Sequence, residues 1–433
     1  MAYTENIENN VIVQGTAADD TLDNYGAAST VVGGDGNDSI GNIGEGADIY
    51  GGDGNDNIGN YNASDVYIDA GKGNDYVENN GEYAAIVGGD GNDTIYSEGR
   101  GTAIDGGAGD DSVVTAVDYV WINAGAGNDD VEVYNGSYAT VYGGTGNDFL
   151  AAAGNKYSIL EGGSGDDTIY SASGSDNSTF EGGYGNDYIV NVALKNLLNG
   201  GAGNDNIYNR GANSDIYGGT GHDTLKNDAT DVYINGGAGH DNIFNLATGN
   251  RATINGGAGI DAITNFAANV VINGEDDRDL IYNYGVLNIT INGGADDDFI
   301  IEMNRGSGVT INGGLGNDAI ILAGGKELIQ YASGDGDDTI LGFNKSTELD
   351  FEYDSVEQSG EHVLMKIGGG SILFCDTSIE LFEVEASNDQ LAAIVEQKPA
   401  TEIGEPEQEP TFGNTKFDKV LAVANTNDRK RHS

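Results

Sequence analysis

Apolar residues recur along the chain in short alternating segments that glycines separate. Two residues after each aspartate that ends a glycine-rich phrase lies Ile, Val or Leu, in all 17 copies, as at Ile40 and Ile58. Another apolar residue lies two places before the phrase, as at Ile49 and Ile68. Short alternating segments rich in β-branched residues and interrupted by glycine are typical of strands and tight turns. Each period is therefore predicted to contain two strands and two turns.

The aspartates define the length of the period. From Asp38 to Asp338 they are 18, 19 or 20 residues apart, and 12 of the 17 phrases read G-G-x-G-x-D without a mismatch. A degenerate copy places Asp20 one step earlier. A unit this short cannot bury its own apolar face, whereas stacked copies can. We therefore predict an all-β fold, a parallel β-roll or β-solenoid of about 18 coils.

Asparagines mark the second turn of many periods, four residues after the aspartate. Stacked Asn amides can hydrogen-bond along a column, so we predict that these residues form structural corners rather than a binding site. They are Asn42, Asn60, Asn79, Asn191, Asn209, Asn227, Asn245, Asn265 and Asn283.

Composition and charge narrow the function. The 433 residues include 71 Gly and 3 Pro without a Gly-X-Y period, which excludes collagen. The net charge of -53, from 71 acidic against 18 basic residues, disfavours nucleic acid and anionic membranes and favours a cation as partner. No apolar run reaches the roughly 20 residues of a membrane helix. One cysteine, Cys375, cannot form an intramolecular disulfide, and its alternation with Ile372 and Phe374 predicts an apolar filler.

Stacking would place the aspartates of successive coils in one file. Carboxylates that close cannot all ionise unless they find a cation. Calcium suits the site, because it takes six to eight oxygen ligands and accepts backbone carbonyls beside carboxylates, while the glycines give the turn the freedom to aim those carbonyls. Zinc and copper are disfavoured because no Cys/His cluster occurs. We expect multiple Ca²⁺ ions in one file, each between the turns of two consecutive coils, and binding coupled to folding.

The phrases "GGDGNDSI", "GGDGNDTI", "GGSGDDTI" and "GGAGNDNI" resemble the G-G-x-G-x-D-x-U-x nonapeptide of RTX (repeats-in-toxin) proteins, the haemolysin-type calcium-binding repeat family, over about residues 14–345. The resemblance implies a calcium β-roll whose ligands are Asp side chains and carbonyls of the Gly-rich turn. The implied aspartate ligands are Asp38, Asp56, Asp75, Asp93, Asp111, Asp129, Asp148, Asp167, Asp187, Asp205, Asp223, Asp241, Asp261, Asp298, Asp318 and Asp338. The implied glycine ligands are Gly33, Gly51, Gly88, Gly106, Gly143, Gly162, Gly182, Gly200, Gly218, Gly236, Gly256 and Gly313. Every second nonapeptide is eroded, so one edge should bind calcium and the other should carry the Asn corners.

Three residues in irregular phrases need separate interpretation. In "GEDDRD" two glycines are lost, and Arg278 either takes the place of calcium beside Asp279 or leaves that site open. His222 and His240 occupy the same position of neighbouring phrases and are interpreted as exposed turn residues.

The repeat suggests a division of the chain into an N-terminal leader at 1–13, the RTX roll at 14–345, a C-terminal β cap at 346–386 and an acidic linker with an export signal at 387–433. The N-terminus lacks the basic and apolar regions of a secretory signal. The RTX resemblance implies bacterial type I secretion by an uncleaved C-terminal signal, and therefore an extracellular or cell-surface location.

No catalytic motif or separate catalytic domain is found, so we predict a protein that is not an enzyme. The leading hypothesis is a secreted calcium-binding protein that folds on binding extracellular Ca²⁺ and acts in a surface, matrix or adhesive structure, with a cell surface, glycan or matrix component as partner. One alternative is a calcium-dependent ice-binding solenoid, although the third phrase position is Thr only at Thr145 and Thr220. Another is a polysaccharide-modifying β-helix enzyme.

Overall fold

The computed structural model describes residues 3–344, 346–359 and 362–375, with no side-chain description at 356–359. This part of the chain falls into two units, divided between Val232 and Tyr233. Both units are all-β parallel solenoids, and together they comprise about 19 turns. The described residues include no helix. Accordingly, no helix in the described ranges is long and apolar enough to cross a membrane.

Unit 1 consists of two parallel sheets, which we name A and B. Sheet A holds the strands that follow the aspartates: Tyr3–Asn6, Thr21–Asn24, Ser39–Asn42, Asn57–Asn60, Tyr76–Asn79, Thr94–Ser97, Ser112–Thr115, Asp130–Tyr134, Phe149–Ala153, Thr168–Ser171, Tyr188–Asn191, Asn206–Asn209 and Thr224–Asn227. Sheet B holds the strands that lead into the glycine-rich phrases: Ile12–Gln14, Thr30–Asp35, Asp48–Asp53, Tyr67–Lys72, Ala85–Asp90, Ala103–Ala108, Trp121–Ala126, Thr140–Thr145, Ile159–Ser164, Thr179–Tyr184, Leu197–Ala202 and Asp215–Thr220.

Unit 2 repeats the same two sheets. Its sheet A strands are Asn242–Asn245, Ala262–Asn265, Leu280–Asn283, Phe299–Glu302, Ala319–Leu322, Asp337–Leu341 and Gly370–Cys375, and its sheet B strands are Tyr233–Ala238, Thr253–Ala258, Val270–Asp276, Leu287–Ala295, Ser307–Leu315, Lys326–Gln330 and Glu348–Asp350. A hairpin of Ser355–Ser359 and His362–Ile367 runs antiparallel and joins the edge of Gly370–Cys375.

The register places equivalent residues of successive coils beside one another. Ile40 pairs with Ile58, and Asn42 pairs with Asn60. Alternate side chains point into the coil, where Ile40 and Ile58 are at most 1% exposed. The sequence period therefore becomes a spatial column, because like residues recur one coil, about 4.8 Å, apart.

The first coil begins in the stretch that sequence analysis assigned to a leader. Tyr3–Asn6 pairs with Thr21–Asn24, and Ile12 pairs with Thr30. Asn6 donates from Nδ2 to Asn24 Oδ1 at 2.7 Å, as later corner asparagines do. The phrase that ends this coil, at 15–20, keeps only the first glycine and the final aspartate of the motif, which is why the repeat pattern did not reveal the strands before it.

The C-terminal end changes strand direction. Gly370–Cys375 pairs in parallel with Asp337–Leu341, and the hairpin then adds antiparallel strands to its other edge. Cys375 is buried at 8% exposure and pairs with Leu341. Residues 376–386 of the predicted cap, and the predicted linker and export signal at 387–433, lie outside the described residues.

Candidate metal centre

The glycine-rich phrases form turns whose backbones stack closely from coil to coil. We number the residues of the phrase G-G-x-G-x-D from 1 to 6. The glycines at positions 2 and 4 adopt positive φ, for example 120° at Gly34 and 107° at Gly36. A Cβ on Gly36 would lie 2.7 Å from the Ala18 carbonyl carbon of the preceding coil. Glycine adopts this conformation without steric cost, and in the irregular phrases Glu275, Asp277 and Asp296 take these positions with φ of 85°, 73° and 73°.

The position-6 aspartates form a buried hydrogen-bonded ladder. The Asp38 N–H donates to Asp56 Oδ1 at 2.7 Å, and the Asp56 N–H donates to Asp75 Oδ1 at 2.7 Å. The ladder continues in unit 1 to Asp223, and in unit 2 it runs from Asp241 to Asp338. None of the position-6 aspartates from Asp38 to Asp338 is more than 4% exposed. One carboxylate oxygen of each residue is therefore fixed by the neighbouring coil.

The second carboxylate oxygen has a different environment. Oδ2 is buried and has no hydrogen-bond partner in Asp38, Asp56, Asp75, Asp93, Asp111, Asp129, Asp148, Asp167, Asp187 and Asp205 of unit 1 and in Asp261, Asp279, Asp298 and Asp318 of unit 2. A buried polar atom without a partner costs about 1–3 kcal/mol, and a charged one costs more. So many equivalent atoms in the file of each unit indicate the same kind of ligand at each, which is a proton or a metal cation.

The position-1 glycine opens a space that these oxygens line. At Gly256 the point where a Cβ would stand lies 2.5 Å from Asp261 Oδ2 and 2.7 Å from the Gly274 carbonyl oxygen of the next coil. At Gly106 the same point lies 2.6 Å from Asp111 Oδ2 and closer still to the Ala124 carbonyl oxygen. A carboxylate of one coil and a carbonyl of the next therefore converge on the same small space.

This donor set fits calcium. All the converging atoms are hard oxygens, and half of them are backbone carbonyls, which calcium accepts readily. Among the residues that the structure describes, no three His, Cys, Asp or Glu side chains cluster around one point. A cation at this edge would thus be held by one carboxylate oxygen and one carbonyl oxygen from adjacent coils, with further oxygens from the turns or from water.

The acidity of the column agrees with a cation site. Burial raises the pKa of Asp56 to about 6, of Asp167 to about 7 and of Asp279 and Asp298 to about 8, while the N–H bond from the preceding aspartate acts in the opposite direction. Neighbouring aspartates of the column raise the values further at Asp56, Asp167 and Asp279. At neutral pH the fully ionised column is therefore unfavourable without a compensating cation.

The same phrases match a known family model. The RTX calcium-binding nonapeptide repeat matches residues 85–99, 105–137, 142–178, 173–190, 195–225 and 217–251. The similarity to RTX calcium-binding repeats therefore extends across residues 85–251. A comparison with curated proteins gives no match. Among solved structures, an X-ray crystal structure of a hyperactive, Ca²⁺-dependent, β-helical antifreeze protein from an Antarctic bacterium is 18% identical, over 79% of this chain and 85% of that chain, with a TM-score of 0.29.

Within each unit the structure brings the residues predicted from sequence into a column and adds others to it. Gly274 and Gly293 line the same space as their counterparts, and the Ala70 and Ala124 carbonyl oxygens lie where glycine carbonyls do elsewhere. The site predicted from sequence did not include these four residues because their phrases deviate from the motif. A search for glycine at position 1 and aspartate at position 6 alone would have found Gly274 and Gly293, whereas Ala70 and Ala124 follow from the period of the repeat.

Asp279 belongs to the column despite its irregular phrase. It is 1% exposed and accepts the Asp261 N–H at 2.9 Å. The guanidinium of Arg278 contacts Asp297 instead, at 3.3 Å, and both of those side chains are exposed. Of the two alternatives, the geometry favours a site that stays open beside Asp279.

The degenerate first phrase differs from the RTX phrases that follow. Thr16 donates to Asp20 Oδ2 from its backbone nitrogen at 2.6 Å and from its hydroxyl at 2.7 Å. The oxygen that is orphaned at Asp38 thus has two donors at Asp20. In unit 1 the candidate file of cation sites consequently begins at Asp38.

The opposite edge carries the predicted Asn corners. Asn42 donates to Asn60 Oδ1 at 2.9 Å, and Asn191 donates to Asn209 Oδ1 at 2.8 Å. In unit 2, Asn283 donates to Glu302, which takes the Asn position of its coil. These amides also bond their own turns, so the structural interpretation of the corners is confirmed.

The two histidines lie on the surface of their turns. Both are exposed. The His222 N–H donates to Asn204 Oδ1 at 2.7 Å, and His240 Nδ1 accepts the Ile260 N–H at 2.8 Å. They therefore take part in an outer hydrogen-bonded ladder at position 5.

Proposed function

We propose that this chain is a secreted calcium-binding protein whose repeats fold on meeting extracellular Ca²⁺, and that it then serves as a structural component of a surface or matrix. The observation that carries the proposal is the file of buried, unpartnered Oδ2 atoms opposite the position-1 carbonyls of the next coil. The matched RTX calcium-binding repeats support it.

The proposed folding step follows from charge. Without a cation, adjacent buried carboxylates repel one another and lose their hydration, so closing a coil at neutral pH is unfavourable. Bound Ca²⁺ supplies positive charge that joins the Asp side chain of one coil to the carbonyl of the next. Sites of the extracellular class bind at about 10⁻⁴–10⁻³ M, far above cytosolic calcium. The repeats would stay open inside the cell and close outside it.

A surface or matrix role is supported by exposed aromatic residues. Tyr119, Tyr138 and Tyr157 are 49%, 47% and 53% exposed. Their rings stack on successive coils at centroid distances of 5.0 and 5.3 Å. Exposed Tyr residues contribute amphipathic contact area to interfaces, so a cell surface, glycan or matrix component is the partner we infer.

Limited proteolysis of the full chain in calcium buffers tests the folding step. We expect rapid cleavage at about 10⁻⁷ M free calcium, protection with a midpoint near about 10⁻⁴–10⁻³ M, and little protection by equal magnesium. Protection that is complete in EDTA would refute the proposal.

A matched pair of variants locates the effect. Asp93 is 1% exposed, whereas Asp90 of the same phrase points to solvent. Asp93→Asn should reduce the change in protection that calcium causes within residues 85–112, and Asp90→Asn should leave the calcium midpoint for that change within about twofold. Equal effects of the two substitutions would mean that net charge, rather than the buried column, controls folding.

A further inference from the structure

A groove lies on the outer face of sheet A in unit 1, on a different surface from the calcium edge. Its volume is about 270 Å³. The register explains its origin, because Val114 lies between Tyr96 of the preceding coil and Glu132 of the following coil. Val114 and Ala116 are small, and with Thr115 they form a floor between bulkier neighbours.

Aromatic rings form the walls of the groove. Tyr76 and Tyr96 stand on one side with ring centroids 5.8 Å apart and planes inclined by 46°. Tyr134 belongs to the coil on the other side of the Val114 floor and also lines the groove. Tyr76 and Tyr96 are 38% and 39% exposed, so their faces are available to a ligand.

The charge of the groove is negative. Glu78 and Glu98 line it, and no Lys or Arg is among its lining residues. Burial raises the pKa of Tyr134, and the charges of Glu98, which lines the groove, and of Glu132, on the same strand as Tyr134, raise it further. The chain as a whole carries a net charge of -53, which also attracts cations.

A buried polar atom without a partner lies beneath the floor. Thr115 is 1% exposed, its side chain lies on the inner side of the strand as that of Val113 does, and its hydroxyl makes no hydrogen bond. The equivalent residues of earlier coils, Asn79 and Ser97, do hydrogen-bond, and Asn79 donates to the Ser97 hydroxyl at 3.1 Å. The Asn ladder is therefore interrupted under the groove.

We propose that this groove binds an organic cation, namely an alkylammonium group, between the Tyr96 and Tyr134 rings, with Glu78 and Glu98 as counter-charges. Tyrosine faces attract cations by about 0.5–2 kcal/mol, more when the site is desolvated. Two carboxylates in a lining that contains no Lys or Arg favour a cationic ligand over a neutral one of the same shape. This assignment goes beyond the proposed calcium function and does not depend on it.

The test uses the calcium-saturated full chain and three probes. Choline represents quaternary ammonium, n-butylammonium represents a primary amine, and 3,3-dimethyl-1-butanol is the neutral isostere of choline. Binding is followed by isothermal titration and by tyrosine NMR signals. We expect at least one cation to bind at least about tenfold more tightly than the neutral isostere. The cation that binds more tightly shows whether the groove prefers a quaternary ammonium group or a primary amine.

Substitutions then assign the site. Glu98→Gln and Tyr96→Leu should each weaken cation binding at least about fivefold. Glu161→Gln, on sheet B, and Tyr184→Leu, at a side chain that is 73% exposed, are matched controls that should leave it unchanged. Circular dichroism checks that each variant is folded, and Glu98→Gln alone decides if Tyr96→Leu is not. Binding of both cations no tighter than that of the neutral isostere, no binding of either cation, or an unchanged affinity in Glu98→Gln would overturn the proposal.

Discussion

Substituting a position-1 glycine by alanine distinguishes two roles for that glycine. If it only supplies a carbonyl oxygen, any residue can replace it. If it leaves space for the carboxylate and its cation, a methyl group closes that space. Gly106 suits the experiment because it lies in the strand Ala103–Ala108 and has no positive φ, so alanine fits its backbone conformation.

The expected magnitude follows from the distances around Gly106. The new Cβ would lie 2.6 Å from Asp111 Oδ2 and closer still to the Ala124 carbonyl oxygen, whereas carbon and oxygen normally approach to about 3.3–3.6 Å. Relieving an overlap of this size typically costs about 1–3 kcal/mol. Alanine also restricts the unfolded chain, which stabilises by about 0.4–1 kcal/mol. The net loss of about 1–2 kcal/mol raises the calcium midpoint by about five- to thirtyfold.

Local hydrogen exchange across a calcium titration measures the effect, because a repeat array need not unfold in one step. Peptides covering residues 103–112 should need more calcium for protection in Gly106→Ala. The reverse change, Ala124→Gly, should lower the requirement of the next coil, although glycine makes the unfolded chain freer. In an Asp111→Asn background, Gly106→Ala should lose most of its effect on calcium dependence. A midpoint that is unchanged or lower in Gly106→Ala would refute the role of the space and leave only the carbonyl.

Three further predictions concern the aspartate and asparagine columns. Asp167→Asn should stabilise the calcium-free fold at pH 8 and weaken its response to calcium, because burial raises the pKa of Asp167 to about 7 and a neutral amide avoids the cost of ionisation. Thermal melts in EDTA and in calcium measure the two effects. A lower melting temperature in EDTA would contradict the reasoning. Burial raises the pKa values of the column aspartates in the folded state, so the stability that they contribute in EDTA is present at acidic pH and is lost as the pH rises through about 6–8. Thermal melts in EDTA should therefore show a melting temperature that falls between pH 5 and pH 8. A melting temperature that rises over this range would contradict the prediction. Asn209→Ala removes hydrogen bonds to Asn191, Asn227 and the Gly211 carbonyl, and it should lower the free energy of unfolding in urea by about 1–3 kcal/mol. Asn206→Ala, on the exposed side of the same strand, should lower it by less than about 0.5 kcal/mol. Similar losses for the two variants would mean that the corner asparagine has no special structural role.

The sequence was sufficient to predict the repeat, the two strands per coil, the aspartate column and the Asn corners. The physical reason is the parallel register. Because Ile40 pairs with Ile58 and Asn42 with Asn60, a period in the sequence is also a contact in space. A motif that recurs every 18 to 20 residues therefore predicts that the equivalent side chains of successive coils lie beside one another.

The remaining features depend on contacts that no single phrase contains. The space at Gly256 is lined by a carboxylate of its own coil and a carbonyl of the next, so its role was visible only with both coils in place. Asp20 matches the motif position, but two bonds from Thr16 occupy its second oxygen. The first coil ends in this degenerate phrase, and the Asn6 amide bonds it to the next coil.

The groove on sheet A was not predictable from the repeat for a related reason. It arises where small Val114 and Ala116 follow the coil of Tyr96 and Glu98 and precede the coil of Tyr134. Side-chain size at these outward positions varies freely from coil to coil, because burial does not constrain it. The groove becomes visible only when successive coils lie side by side, because it forms where small side chains have aromatic rings and carboxylates as neighbours on the adjacent coils.

The central claim is that calcium joins the carboxylate of one coil to the position-1 carbonyl of the next. A crystal structure of the calcium-loaded chain, with an anomalous difference map, tests it most directly. The account predicts a file of anomalous peaks, each about 2.3–2.6 Å from the Oδ2 atom of a column aspartate and from the facing carbonyl oxygen, beginning at Asp38 in unit 1. Peaks confined to exposed carboxylates such as Asp53 and Asp90, with the buried Oδ2 atoms uncoordinated, would contradict it.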